Sequence, residues 1–460
     1  MLRVENERIF SRLSTLDSRL TMFFLYSFLL TIGYLLLLPR FLFDWMRKGK
    51  YAAGIGQRLG RLPEFRQNEK PVLWLHCVSV GETQAARPLV KEILKNFPEY
   101  RLVVSTTTNT GQKLAREIFA EDAELVFYFP LDWKFTVRRA LQQIKPSVVL
   151  LMETELWFNF LREARQSGAK IAIINGRLSE KSVNRYLRIR KFMQWVLHYV
   201  DLALMQGNKD AKRIAQLGLR AGKIKVTGNI KYDLQFDEAE SELTKQFRRR
   251  FGFTEDAPLI VAASTHAPEE DWILQAFKTV WKNSEGNLPR LLIAPRHPER
   301  FAEVEKLIRD SSFDWAKRSE KPSDRDKTAE IILLDSIGEL RAAFPLAEIV
   351  FVGGSLIPHG GQNILEPAIA RKAIVTGFYT ANFETITKEF IEQEALVQLP
   401  KLDEKQVAES LAESISNLLK DAEYRQTLAD NGYNVMRKNR GATQRTVDFL
   451  KPLLQIQTDL

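Results

Sequence analysis

In a chain of alternating strands and helices, ligands meet the residues that lie just past the ends of the strands. This 460-residue sequence places charged side chains at several such points. Glu82 follows an apolar run ending at Cys77, in "SVGE"; Glu153 and Glu155 follow one ending at Met152, in "ETELW"; Lys231 lies in "GNIKYD". Farther along stand "STH" (Ser264 to His266), "PRHPER" with Arg296 and His297, "SIGEL" (Ser336 to Leu340) and "GGSLIPHGGQNILEP" (Gly353 to Pro367). The first group supplies carboxylates able to take a proton from a hydroxyl. The second supplies a glycine turn, a helix start and an arginine, which together suit a phosphate.

Each of these residues also has a plainer role. A carboxylate near a helix start stabilises that helix by roughly 0.3–1 kcal/mol, which alone would account for Glu82. Position does not choose between the two roles. Glu153 and Glu155 alternate along the chain, so only one is expected to face a ligand. Glu366, one turn into a helix, is better placed for a ribose diol than for a phosphate. Arg296 sits where a helix would disfavour a cation, so a place on the same rim as the glycine loop favours an anion ligand. Lys231 is either a linker lysine or a point charge near a leaving phosphate.

The apolar runs that position these residues recur with helical stretches such as "QAARPLVKEILKNF" between them. Strands are predicted at 72–77, 102–106, 125–129, 147–152, 170–174, 202–205 and 225–227, then at 259–263, 290–294, 331–334, 349–352 and 373–375. Strands that alternate with helices predict a parallel sheet covered on both faces. A polar stretch near 230–245 interrupts the alternation, and everything after about residue 404 reads as helix. The expected fold class is therefore α/β, with two doubly wound Rossmann-like domains facing a cleft. The boundaries are 1–50 for an N-terminal anchor, 51–235 for the first domain, and 236–460 for the second with the terminal helices.

The anchor is read from Met22 to Pro39, 18 residues without a charge, about the minimum for a helix to cross a bilayer. Arg40, Arg47, Lys48 and Lys50 stand between this run and any small-residue cleavage site, which argues against a cleaved signal. The same cluster, with Arg58 and Arg61, outnumbers Arg3, Arg8, Arg12 and Arg19 before the run, which places the body in the cytoplasm. A helix lying in the interface is the alternative.

Lys and Arg number 67 against 57 Asp and Glu, a net charge of +10 that favours an anionic partner. No basic stripe interleaved with aromatics appears, so nucleic acid is not expected. The lone Cys77 excludes an internal disulfide and a thiolate zinc cluster, and the five histidines show no metal-ligand spacing. "GIGQRLG" (Gly54 to Gly60) has the wrong spacing for a dinucleotide fingerprint and reads as a juxtamembrane loop. "DRD" (Asp324 to Asp326) precedes a strand instead of following one, so no metal site is expected there.

In their order and spacing, "SVGE", "ETELW", "GNIKYD", "PRHPER" and "GGSLIPHGGQNILEP" resemble the 3-deoxy-D-manno-octulosonic acid (Kdo) transferases of lipopolysaccharide synthesis, over nearly the whole chain. The resemblance implies a GT-B glycosyltransferase of the inner membrane that moves Kdo from CMP-Kdo to lipid IVA, inverting, without a metal or other cofactor. It implies an acceptor-binding first domain and a CMP-Kdo-binding second one. Glu82 would be the base, with Glu153 and Lys231 stabilising the transition state. CMP would be held by Pro295 and Arg296, by Ile337, Gly338 and Glu339, and by Asn363, Ile364, Leu365 and Glu366. Two positions depart from the family pattern: Phe158 stands where it has proline after "ETELW", and Gln362 where it has histidine before Asn363. Another membrane-associated GT-B enzyme using a UDP-sugar, and a nucleotide-sugar-binding scaffold without turnover, are the alternatives.

Overall fold

The structure is a computed structural model, and it describes residues 21–40, 43, 54–234, 238–254, 257–284 and 286–455. The chain separates into two compact units: residues 1–233 together with 441–460, and residues 234–440.

The first unit is built on seven strands: β1 (Val72–Cys77), β2 (Arg101–Thr106), β3 (Ala123–Tyr128), β4 (Val148–Met152), β5 (Lys170–Gly176), β6 (Leu202–Met205) and β7 (Ile224–Val226). They form one sheet in the order β3-β2-β1-β4-β5-β6-β7, with every pairing parallel. β1, β2 and β4 are buried at every residue, as expected of parallel strands covered by helices on both faces. Successive side chains point to opposite faces. Trp74, Val103, Val149 and Ile171 enter one core layer with Phe160. Leu73, Leu75, Leu102, Val104 and Leu150 enter the other, beneath Leu89, Val90 and Ile93 of the helix Val80–Asn96.

The second unit repeats the plan with β8 (Leu259–Thr265), β9 (Arg290–Pro295), β10 (Trp315–Lys317), β11 (Ile331–Leu333), β12 (Ile349–Val352), β13 (Ala373–Thr376) and β14 (Val397–Gln398). Their order is β10-β11-β9-β8-β12-β13-β14, again all parallel. β10 and β14 were not predicted: at three and two residues, they lie at the sheet edges and carry no apolar run of their own.

In each sheet the chain leaves the first strand in one direction and returns on its other side. The reversal falls between β1 and β4 in the first unit and between β8 and β12 in the second. Such reversals open a crevice at the strand ends.

The expected domain limits need one correction. The last helix, Ala442–Leu454, packs on the first unit: Val447, Leu450 and Leu454 join the core layer of Leu73 and Leu89. Its apolar stripe finds its partner on the helix Val80–Asn96, not among the helices next to it in sequence. Asp233 fixes the return, its carboxylate accepting the N–H groups of Gly441 (2.6 Å) and Thr443 (2.5 Å).

The apolar N-terminal run is a helix, Thr21–Arg40, long and apolar enough to cross a membrane. One face is docked on the first unit. Tyr26 donates to Asp132 at 2.8 Å, Asn159 donates to Ser27 at 2.9 Å, and Trp133 donates to Thr31 at 2.9 Å. Phe23 is buried against Phe192. The opposite face exposes Phe24, Phe28, Leu29, Leu35 and Leu36. The basic clusters at 3–19 and 47–50 that set its orientation lie outside the described residues.

The docking point explains the first departure from the family pattern. Phe158 opens the helix Phe158–Gln166, the first helical position, which proline favours. Asp132 caps this helix by accepting the N–H groups of Asn159 (3.0 Å) and Phe160 (2.7 Å), while the Phe158 ring packs on Tyr26 at 4.9 Å between centroids. "GIGQRLG" is not a loose loop: Ile55–Arg58 forms a helical turn, Gln57 accepts the Tyr128 N–H at 2.8 Å, and Arg58 donates to the Thr107 carbonyl at 2.7 Å.

Candidate active site

Glu82 sits at the mouth of the crevice between β1 and β4. Ser79 has extended backbone and caps the helix Val80–Asn96. Its hydroxyl accepts the Glu82 N–H at 3.4 Å and donates to Glu82 Oε1 at 2.8 Å, while Val78 N–H donates to Glu82 Oε2 at 2.8 Å. This is a capping arrangement in which serine and glutamate satisfy each other across one turn. Glu82 is nonetheless 6% exposed. Burial pushes its carboxyl up to about 7, assisted by the charges of Glu153 and Glu155 and opposed by the Val78 and Ser79 hydrogen bonds. Burial and the same Glu82 and Glu153 charges push the Cys77 thiol well up, leaving it protonated.

Glu153 follows β4 with a φ of 53°, a left-handed conformation that a glutamate adopts at a cost of about 1–3 kcal/mol. Its carboxylate is held from two sides: Arg177 donates to Oε2 at 2.6 Å and Lys231 to Oε1 at 3.4 Å. Lys231 is brought there by Asn175 at the end of β5, whose side-chain oxygen accepts the Ile230 N–H at 3.1 Å. The expectation that only one of Glu153 and Glu155 faces the ligand does not hold: both lie beyond β4, which ends at Met152, and residues two apart would share a face even within a strand. Both carboxylates act on Glu82, and burial followed by the Glu153 charge raises the Glu155 carboxyl itself. The structure therefore gathers Glu82, Glu153, Glu155 and Lys231 and adds Arg177, which sequence reading passed over although it follows β5 directly.

In the second unit the residues expected to hold a nucleotide line the strand-end rim. Pro295 closes β9, and Arg296 beyond it is exposed, its N–H donating to the Thr265 carbonyl at 3.0 Å. Past β11, Ile337 is 79% exposed beside Gly338, whose φ is 83°. Glu339 next to them receives two hydrogen bonds from Arg318, at 2.9 and 2.8 Å. Asn363 donates to Glu366 at 3.1 Å and accepts the Leu365 N–H at 3.1 Å. Ile364 and Leu365 point into the core, so only their backbone can meet a ligand.

The glycine loop corrects the sequence reading. Its N–H groups were expected to stand ready for a phosphate, but a carboxylate of the chain occupies three of them. Glu269 accepts from Gly354 (2.7 Å), Ser355 (3.0 Å) and Leu356 (3.0 Å), and also from His266 N–H (3.0 Å). Burial pushes this carboxyl up to about 7 against the pull of those donors. The helix that follows, Leu365–Ile369, has five residues, too few for a large dipole. The glycines serve packing instead: a Cβ on Gly353 would lie 2.6 Å from the Ser264 carbonyl oxygen, so β12 meets the end of β8 only through glycine. Glu269 went unrecognised because its "PEEDW" context reads as acidic charge at a helix start, and its partners in the glycine loop lie more than eighty residues away.

Among the described residues no group of three or more His, Cys, Asp or Glu is arranged to hold a metal ion. Asp326 of "DRD" is paired with Arg250 at 2.7 Å.

Residues 53–234 match the family described as 3-deoxy-D-manno-octulosonic-acid transferase (kdotransferase). Over 410 residues the chain is 34% identical to the 3-deoxy-D-manno-octulosonic acid transferase of Haemophilus influenzae, covering 89% of this chain and 93% of that one. The chain belongs to the Kdo transferase family. The corresponding enzyme of Chlamydophila psittaci is 30% identical over 432 residues, 93% of this chain and 96% of that one. As a Kdo transferase the chain is a glycosyltransferase, and Kdo transfer serves lipopolysaccharide synthesis. Its fold is GT-B. Solved structures of similar fold include a glycosyltransferase from Rickettsia africae (TM-score 0.54, 14% identity, 85% of this chain and 100% of that one). Another is the UDP-GlcNAc 2-epimerase of Neisseria meningitidis (TM-score 0.55, 14% identity, 84% and 99%).

Proposed function

We propose that this Kdo transferase moves Kdo from CMP-Kdo to a hydroxyl of lipid IVA with inversion, and that Glu82 is the base. The observation that carries this reading is the Glu82 carboxylate, buried in the β1–β4 crevice with its carboxyl pushed up to about 7. A base matched to neutral pH is the most effective proton acceptor there. Glu82 takes the hydroxyl proton, the acceptor oxygen bonds to the anomeric carbon, and the bond from that carbon to the phosphate oxygen breaks, releasing CMP. Lys231, seated on Glu153, supplies positive charge for the developing negative charge of the leaving group. Proton transfer and charge neutralisation are then supplied by side chains, and no step calls for a metal or other cofactor.

On the donor side the exposed Arg296 meets the phosphate, the exposed Ile337 beside Gly338 offers a platform for the base, and Asn363 with Glu366 suits the ribose diol. Pro295, Glu339 and the backbone of Ile364 and Leu365 complete the CMP site. The helix Thr21–Arg40 holds the body at the inner membrane, on the cytoplasmic side. The larger basic cluster at 40–61 supports that side.

The test is incubation of the purified chain with lipid IVA and freshly generated CMP-Kdo, read by mass. Addition of Kdo to the lipid is expected. Transfer from a UDP-sugar with none from CMP-Kdo sinks the donor assignment, and no transfer from any donor sinks the enzyme reading.

A further inference from the structure

His266 stands at the end of β8, at the point where the second sheet reverses toward β12, and it is 6% exposed. Among the described residues neither ring nitrogen has a hydrogen-bond partner of good geometry, the one weak backbone contact being to Ser264. A buried imidazole left in this state loses the hydrogen bonds that water would give it, which disfavours the arrangement unless a ligand supplies a partner. The ring is not sealed in an apolar core. His359 lies against it at 4.2 Å between centroids and His297 edge-on at 5.3 Å, both exposed. Two polar side chains close on the buried Gly354: a Cβ there would meet Gln362 Nε2 at 3.3 Å and His266 Nδ1 at 3.4 Å. A glutamine amide and an imidazole therefore converge on the Gly354 backbone, whose φ of 66° favours glycine, and Gln362 is one of the two positions where this chain departs from the family pattern.

The charges around the ring favour an anion. Arg296 and His297 approach from the end of β9, and His359 from the glycine loop. The one carboxylate at the ring's own backbone, Glu269, is fully engaged by N–H groups. Burial, followed by the neighbouring His359 and His297 and then Arg296, pushes the His266 imidazole down to about 4, so it is neutral at physiological pH. A neutral imidazole offers one N–H donor and one acceptor nitrogen.

We infer that His266 is a donor-binding residue that gives its ring N–H to the phosphate of the nucleotide, with Gln362 beside it. The inference rests on the CMP-Kdo reading of the second unit and adds to it a phosphate contact deeper than Arg296. The backbone N–H groups expected to make that contact are held by Glu269, and His266 and Gln362 take their place.

The test uses the full chain in detergent with two probes, CMP and cytidine, which differ only in the phosphate. His266→Asn is expected to weaken CMP binding about tenfold or more, the scale of one hydrogen bond to a charged group, and to leave cytidine binding unchanged. In turnover the loss should appear in KM for CMP-Kdo more than in kcat. A residue that only shapes the loop would move both probes together or neither, and either result overturns the inference. If the variant does not fold, wild-type protein labelled with 15N-histidine carries the test. CMP, and not cytidine, should shift the ring signals of one histidine that is neutral and slow to exchange with solvent, and no such shift overturns the inference. A wild-type chain that binds neither probe fails differently, because it removes the donor reading itself.

Discussion

Ser79 and Glu82 satisfy each other: the serine hydroxyl donates to Glu82 Oε1 at 2.8 Å and accepts the Glu82 N–H at 3.4 Å. The residue that fastens the first turn of the helix is thus also the proposed proton acceptor. Glu82 must be ionised to take a proton, and its carboxyl is held near 7. The kcat/KM of the wild type is therefore expected to rise as pH increases through about 7 and to level off above it. Glu82→Gln should lack turnover with an unchanged circular dichroism spectrum. A wild-type profile that is flat from about pH 5.5 to 8.5 would remove Glu82 from the proton transfer.

The same burial has a cost in stability, and its sign is fixed. The folded carboxyl titrates at about 7 and the unfolded one at 4.5. Folding therefore disfavours the charge: there is no penalty below pH 4.5, and the penalty grows until pH passes 7. Relative to Glu82→Gln, the wild type should lose stability across that window, by roughly 3 kcal/mol at most, since each pKa unit is worth about 1.36 kcal/mol. Melting temperatures of the two proteins compared between pH 4.5 and 8 check this. A difference that does not change with pH contradicts the burial of a titrating carboxyl.

Ser79→Ala separates the two roles of the pair. Loss of the cap should destabilise the first unit by about 1 kcal/mol. The carboxylate also loses a donor that favours its charged form, so the acid limb of kcat/KM should move to higher pH. An unshifted limb would mean that the hydroxyl does not bear on the ionisation of Glu82.

Lys231→Met removes one of the two cations on Glu153 and leaves Arg177 in place. The expected result is a fall in kcat of about 10²–10³-fold with KM for CMP-Kdo little changed, as when a transition-state contact is lost. Steady-state kinetics decide it. A change confined to KM would make Lys231 a ground-state binding residue.

The sheets were legible in the sequence because buried parallel strands are continuous apolar runs, and β1 was read at Val72–Cys77, the limits the structure gives it. β10 and β14 were not, because two or three residues at an edge leave no such pattern. Strand-end logic found Glu82, Glu153 and Lys231, whose neighbours in sequence place them on the rim. It did not find Glu269, whose bonds to the glycine loop span a long stretch of chain, nor Arg177, whose importance lies in a carboxylate at the end of the neighbouring strand. It misread Glu153 and Glu155 because residues two apart share a face of a strand, so alternation is no ground for separating them, and β4 in any case stops at Met152. The last helix was assigned to the wrong unit because amphipathic pattern specifies that a face is buried and not what buries it.

That helix reverses the usual correspondence between synthesis and folding. As the chain leaves the ribosome, the second unit is complete at Arg440, while the first still lacks Val447, Leu450 and Leu454, which close the core layer beneath the helix that carries Glu82. Domains otherwise tend to fold in the order in which they are made. Here the unit begun first is finished last, so a nascent chain stopped at Arg440 would carry a complete second unit and an unclosed core layer beneath the helix of Glu82.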